Sequence, residues 1–138
     1  MSGSFANYWE EKVLKHLFGI AAYTAPGTVY VGVCTGGVTE AGVASGEPSG
    51  SGYARVAITN DGDHWDFSQV DGLTRIANHA AIQFPEASGS WGTITDVFLA
   101  TAASGGSILA FATLTASKAI GSGDTLKFDA ADLAFTLD

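Results

Sequence analysis

Apolar residues change their spacing once along the chain, from a helical period to an alternating one. Over residues 5–18, FANYWEEKVLKHLF, the residues Phe5, Trp9, Val13 and Leu17 recur every four positions. Leu14 and Phe18 widen this stripe, while Glu10, Glu11, Lys12 and Lys15 lie on the other side, which predicts an amphipathic helix. Ser4 stands where an N-cap belongs, acids precede bases as the helix dipole prefers, and Gly19 stands where the helix should end. A helix of this length is marginal alone in water. Its apolar face must therefore dock, on the chain's own body or on a neighbouring subunit.

From residue 28 onward the pattern alternates. Thr28–Thr35 (TVYVGVCT) reads as a strong strand with Val29, Val31 and Val33 on one face. The Gly-, Ser- and Glu-rich stretch from Gly36 to Gly52, which includes Glu40 and Glu47, reads as an exposed loop. Tyr53–Thr59 alternates again, with Tyr53 and Arg55 on one face, where the Arg stem is expected to pack along the ring. Asn60-Asp61-Gly62-Asp63 is turn chemistry. Trp65–Phe67 reads as a short strand, Leu73–Phe84 as one or two more stopped by Pro85, and Trp91–Ala100 as a strong strand. Ser104-Gly105-Gly106 turns into Ser107–Leu114, Lys118–Ile120 and Thr125–Phe128 are expected to form a hairpin, and Leu133–Leu137 is the last strand. About eight or nine short strands bounded by Gly, Ser and Asp turns predict a mainly β fold. The expected architecture is an antiparallel β-sandwich or jelly-roll-like body with one N-terminal amphipathic α-helix. Nothing divides residues 1–138, so a single domain is expected, with helix and arm over 1–27 and body over 28–138.

Composition adds a second signal. Charged residues are 14% of the chain and hydrophobic ones 46%, against about 25% charged in ordinary soluble domains. The β region has few prolines and lysines to guard its sheet edges. Sparse charge and weakly guarded edges imply that other chains cover part of the surface. Net charge is −8, with six scattered basic residues, which argues against nucleic-acid binding. No run approaches the ~20 apolar residues of a membrane span, and no secretory leader is recognisable at the N-terminus.

The search for chemistry is largely negative. Cys34, the lone cysteine, lies in an apolar strand and reads as a buried thiol. His16, His64 and His79 have no partner at metal-ligand spacing. Asp61, Asp63, Asp66 and Asp71 resemble a calcium loop only in part, because Trp65 and Gly72 occupy positions where ligands belong. No nucleophile elbow, zincin or P-loop pattern occurs. No enzyme, cofactor or metal site is expected.

Four segments stand in a fixed order after the N-terminal S-F-A-N-Y-W-E: Gly52-Tyr53-Ala54-Arg55-Val56, Ile82-Gln83-Phe84-Pro85-Glu86-Ala87, Ser90-Trp91-Gly92-Thr93-Ile94 and Gly121-Ser122-Gly123-Asp124-Thr125. This arrangement resembles a family of small structural proteins of tailed bacteriophages, often labelled tail-fibre-like and similar to head decoration proteins. The resemblance implies a virion protein, made in the host cytoplasm, whose partners are other virion chains. The chain lacks the repeats or stalk of an extended fibre. A capsid decoration (cement) protein binding between major capsid subunits is therefore the expected role, with a small tail, neck or fibre-attachment protein as the alternative. A homotrimer or another symmetric oligomer is expected. The candidate contact residues are Phe5, Trp9, Val13 and Leu17 on the helix, and Glu40 and Glu47 in the loop.

Overall fold

A computed structural model describes residues 1–137. The fold is mainly β and led by one helix. In chain order the elements are β1 (Ser2–Phe5), α1 (Asn7–Leu17), β2 (Thr28–Cys34), β3 (Val56–Thr59), β4 (Trp65–Val70) and β5 (Leu73–Asn78). They continue with β6 (Ile82–Gln83), β7 (Gly92–Ala100), β8 (Ile108–Ile120), β9 (Lys127–Phe128) and β10 (Ala134–Leu137). Eight strands form one curled sheet in the order β3-β2-β7-β8-β1-β10-β5-β4, and β6 pairs with β9 in a separate ribbon.

The first strand joins the two halves of the sheet. Ser2 and Gly3 pair in parallel with Ala134 and Phe135, and then Ser4 and Phe5 pair antiparallel with Phe111 and Ala110. Only a glycine fits in the middle, because a Cβ on Gly3 would collide with the Phe111 carbonyl. Four residues without apolar alternation carry no strand signal, and the four-residue spacing therefore predicts Phe5 on the helix. Phe5 instead ends β1, and the helix runs over Asn7–Leu17 rather than 5–18. Ser4 is a strand residue, so Ala6 holds the N-cap position with no side-chain cap. The end is as expected. Gly19 takes a positive φ of 73°, and the N–H groups of Ile20 and Ala21 return to the Lys15 carbonyl.

Both halves of the sheet feed one core. Val29, Val31, Val33, Val97, Leu99 and Leu109 come from the β2-β7-β8 side, and Trp65, Leu133 and Phe135 come from the other. Alternation sends Cys34, Phe98 and Ala100 to the opposite face of β2 and β7. There they form a smaller buried cluster with Ala6 and Ile108, packed by Val38 and Ala44. The 36–52 stretch is thus more than an exposed loop. It folds into a small hairpin with a Val38–Ala44 bridge and covers this outer cluster.

Three strand expectations need correction. Tyr53 and Arg55 precede β3, which starts at Val56. The segments at 107–114 and 118–120 belong to one long strand, β8, whose register shifts between the Ile94 and Asp96 pairings. The strand at 127–128 pairs with Ile82–Gln83 and not with Lys118–Ile120. The remaining strands fall where alternation placed them, within a residue or a few at each end.

Candidate assembly surface

The helix docks in cis along a narrow line. Phe5 and Trp9 meet edge to face with ring centroids 5.1 Å apart, and both pack against the main core. The Trp9 indole N–H donates to the Tyr23 hydroxyl at 2.9 Å, which ties the helix to the following arm. No residue of α1 is buried. Val13 is half-buried, whereas Leu14, Leu17, Phe18 and Ile20 are 58%, 70%, 77% and 73% exposed. The apolar stripe is therefore split, with one edge facing the body and the other facing solvent.

The open edge continues onto the sheet. A groove of about 380 Å³ runs between α1 and the end of β10, lined by Phe5, Glu10, Val13, Leu14, Leu17 and Leu137. Phe5 and Leu137 also line a second depression with Phe67, Ile76 and Phe135. These residues share the inner face of the β10-β5-β4 half, as the pairings Phe135↔Ile76 and Ile76↔Phe67 require. Phe67 and Leu137 are exposed where that face runs past the core. Contiguous apolar surface of this kind marks interaction sites on soluble proteins.

Glu40 and Glu47 hold the loop beside the helix in different ways. The Glu40 carbonyl accepts the Asn7 N–H at 2.9 Å, at the first turn of α1. The Glu47 carboxylate accepts both Nε and Nη2 of Arg55, at 2.7 and 2.8 Å, and the Tyr53 hydroxyl at 2.7 Å. Arg55 in turn donates to the carbonyls of Ala102 and Gly105 in the β7–β8 turn and lies over the Phe98 ring. Arg55 and Tyr53 meet on the same Glu47 oxygen. Burial pushes the Glu47 carboxyl up, but the bonds from Arg55 and Tyr53 outweigh it and hold the group below its ordinary range. Burial, and then the neighbouring Glu47 carboxylate, push the Tyr53 phenol upward. Glu47 is thus committed to a lock within the chain. The lock is not predictable from spacing, because Arg55 also reaches the distant Ala102 and Gly105 carbonyls.

The four ordered segments meet at one end of the body. Tyr53 stacks on Phe84 at 6.2 Å and meets Trp91 edge-on at 5.2 Å, and Phe84 also meets Phe128 edge-on. The Trp91 indole N–H and the Ser88 N–H both donate to the Ser51 carbonyl at 2.9 Å. Ala87 donates to the Asp124 carbonyl, Gly123 donates to the Ala87 carbonyl, and the Asp124 carboxylate accepts the Gly121 N–H. Gly52, at φ +80°, leaves no room for a Cβ, which would lie 2.8 Å from the Glu86 carbonyl. The motifs are one structural knot, built from turns and aromatic contacts.

A family model described as Podophage GP4 fiber I protein gp80 matches residues 4–136. The chain belongs to this family. The gp80 family is a tail-fibre-like group of phage virion structural proteins, and the motif knot is the framework of this member. No curated protein matches the sequence.

Polar groups elsewhere on this gp80-family chain pair with one another. Asp61 holds the His64 ring nitrogen at 2.6 Å, and Asp66 holds His79 at 2.9 Å. The hydrogen bond from His64 depresses the Asp61 carboxyl. Among the described residues no cluster of His, Cys, Asp or Glu is arranged to hold a metal ion. Cys34 is buried, and burial pushes its thiol up. No helix among the described residues is long and apolar enough to cross a membrane.

Proposed function

We propose that this chain is a small fibre-associated structural subunit of a podophage virion and that it binds neighbouring virion chains through the open apolar face of α1. The family's description as a fibre protein favours this role over the decoration role expected from the absence of repeats or a stalk. One observation carries the docking half of the reading, the exposure of Leu14, Leu17, Phe18 and Ile20 beside the Leu137 groove. Covering four such residues is worth on the order of 4–8 kcal/mol before the costs of association. No catalytic step enters the reading: the chain adds surface and rigidity to an assembly, which mass action stabilises.

Decoration of the head remains a second reading, supported by the lack of any repeat or stalk in a chain of 138 residues. A photo-crosslinking residue at Leu17, introduced by complementation during infection, separates the two. Crosslinks to tail or fibre chains support the proposal, and crosslinks to the major capsid protein move the chain to the head. A failure to crosslink any virion protein from Leu17, with the protein present in the particle, overturns the assigned face. A symmetric oligomer, expected from sparse charge and unguarded edges, belongs to the same proposal and would appear as crosslinks between copies.

A further inference from the structure

We infer that the groove between β3 and β6 is a slot for one extended strand, lent by a different virion chain and hydrogen-bonded to both walls. β3 ends the eight-stranded sheet, and β6 is paired only with β9. Both border one groove of about 360 Å³, lined by Val56–Thr59 on one side and by residues 80–83 on the other. None of the lining residues comes from β9, so the unpaired edge of β6 is the one that faces the groove. Among the described residues no hydrogen bond crosses it.

The register shows which backbone groups face the gap. In an antiparallel pair, opposed residues alternate between bonding each other and turning their N–H and C=O groups away. The Asn60 N–H donates to the Gly27 carbonyl, so Ile58↔Val29 and Val56↔Val31 are the bonded pairs of β3. Ala57 and Thr59 therefore turn their backbone groups toward the groove. On the other wall the Phe84 N–H donates to the Leu126 carbonyl, which makes Ile82↔Phe128 a bonded pair and turns Gln83 outward. The Thr59 carbonyl accepts the Asp61 N–H, and the other groups have no partner among the described residues. The core points the same way. Val56 and Ile58 pack against it but are only half-buried, whereas their partners Val31 and Val29 are wholly buried.

These features define the occupant. Alternating backbone donors and acceptors on an open strand edge are matched by another extended backbone. Because both walls are open, the occupant must be bare on both of its edges, which excludes a strand already held in a hairpin. Another copy of this chain has no free terminal arm among its described residues, since β1 is bonded to β8 and β10, and β10 to β1 and β5. The donor is therefore an arm of a different chain. β3 has four residues, which match about 13 Å of extended chain. Apolar side chains at alternate positions of the arm would cover Val56 and Ile58, and the net charge of −8 favours a neutral or basic segment. The slot shares no residue with the groove beside α1.

The test compares amide hydrogen exchange in purified virions with that in the free protein, resolved to single residues by electron-transfer fragmentation. The Ala57 and Gln83 N–H groups should exchange fast in the free protein and slow by about a hundredfold or more in the particle. Equal rates in the two states overturn the slot, whether or not any variant folds. A photo-crosslinking residue at Gln83 should capture a terminal arm of another virion chain, and capture of a second copy overturns the assigned donor. Ala57→Pro removes a donor that faces the groove and breaks no bond to β2. It should weaken that crosslink about tenfold, the worth of one or two hydrogen bonds, and an undiminished crosslink in the folded variant overturns the backbone pairing. Slowed exchange here without any crosslink from Leu17 removes the α1 reading and keeps this one, and the converse result does the opposite.

Discussion

Replacing Arg55 with alanine removes a side chain that is 5% exposed and makes four hydrogen bonds, two to Glu47 and two to the carbonyls of Ala102 and Gly105. Glu47 is left holding a negative charge with Tyr53 alone. Breaking a fully buried pair from one side costs about 3–5 kcal/mol. Glu47 is 25% exposed, so water recovers part of that, and the lost contact with Phe98 adds back about 0.5–1 kcal/mol. The expected cost is about 3 kcal/mol, or a fall of about 10 °C in Tm for a chain of this size. Urea unfolding should show a lower midpoint with an unchanged slope. Because Glu47, Tyr53 and Arg55 act as one unit, Glu47→Gln combined with Arg55→Met should cost clearly less than the two single changes summed. A loss below about 1 kcal/mol for Arg55→Ala, or strict additivity, refutes the lock.

Other consequences can be checked in the same way. The folded Glu47 carboxyl lies below its unfolded value of 4.5, so its contribution is present above that pH and disappears as pH falls through the lowered value. The stability gap between wild type and Glu47→Gln should therefore shrink on acidification, and a gap that widens contradicts the assignment. Asn78→Ala should cost about 3 kcal/mol in chemical unfolding, because Asn78 is buried and bonds Leu133 N–H and the Ala80 and Asp129 carbonyls. Gly32→Ala should lower the urea midpoint strongly, since its Cβ would strike the Phe98 ring that lies under Arg55. Labelling of Cys34 by a thiol reagent should be slow and should follow global unfolding, because the thiol is buried in the outer cluster.

Periodicity made most of the body legible. Val29, Val31 and Val33 alternate in the sequence and are wholly buried on one face of β2, and the helix follows from its four-residue spacing. What periodicity misses is pairing without pattern. Ser2–Phe5 has no alternation, and it is a strand because β8 and β10 leave a slot that Gly3 can enter. The 107–120 segment reads as two strands because a register shift interrupts its alternation. The loop posed the same difficulty. Its cover of Phe98 and Cys34 depends on the small residues Val38 and Ala44, and its anchor depends on Arg55 reaching across the fold. On the candidate surface, spacing places Trp9, Val13 and Leu17 on one stripe of the helix. Leu17 is far more exposed than Trp9 because the body meets the helix along one edge only, a fact of packing that no local pattern records.

The most direct test of the account is incorporation of a Leu17→Asp/Phe18→Asp variant into virions, measured as copies per particle by quantitative mass spectrometry. Both residues are solvent-exposed at the C-terminal end of α1, so the isolated variant should stay folded and lose no more than about 2 kcal/mol, the cost of two acids facing the helix dipole. This folded variant should be lost from purified particles by at least about tenfold, since two charges placed in an apolar contact forfeit more than the 1.4 kcal/mol that a decade requires. Incorporation at the wild-type level would show that the exposed face of α1 is not where this protein meets the virion.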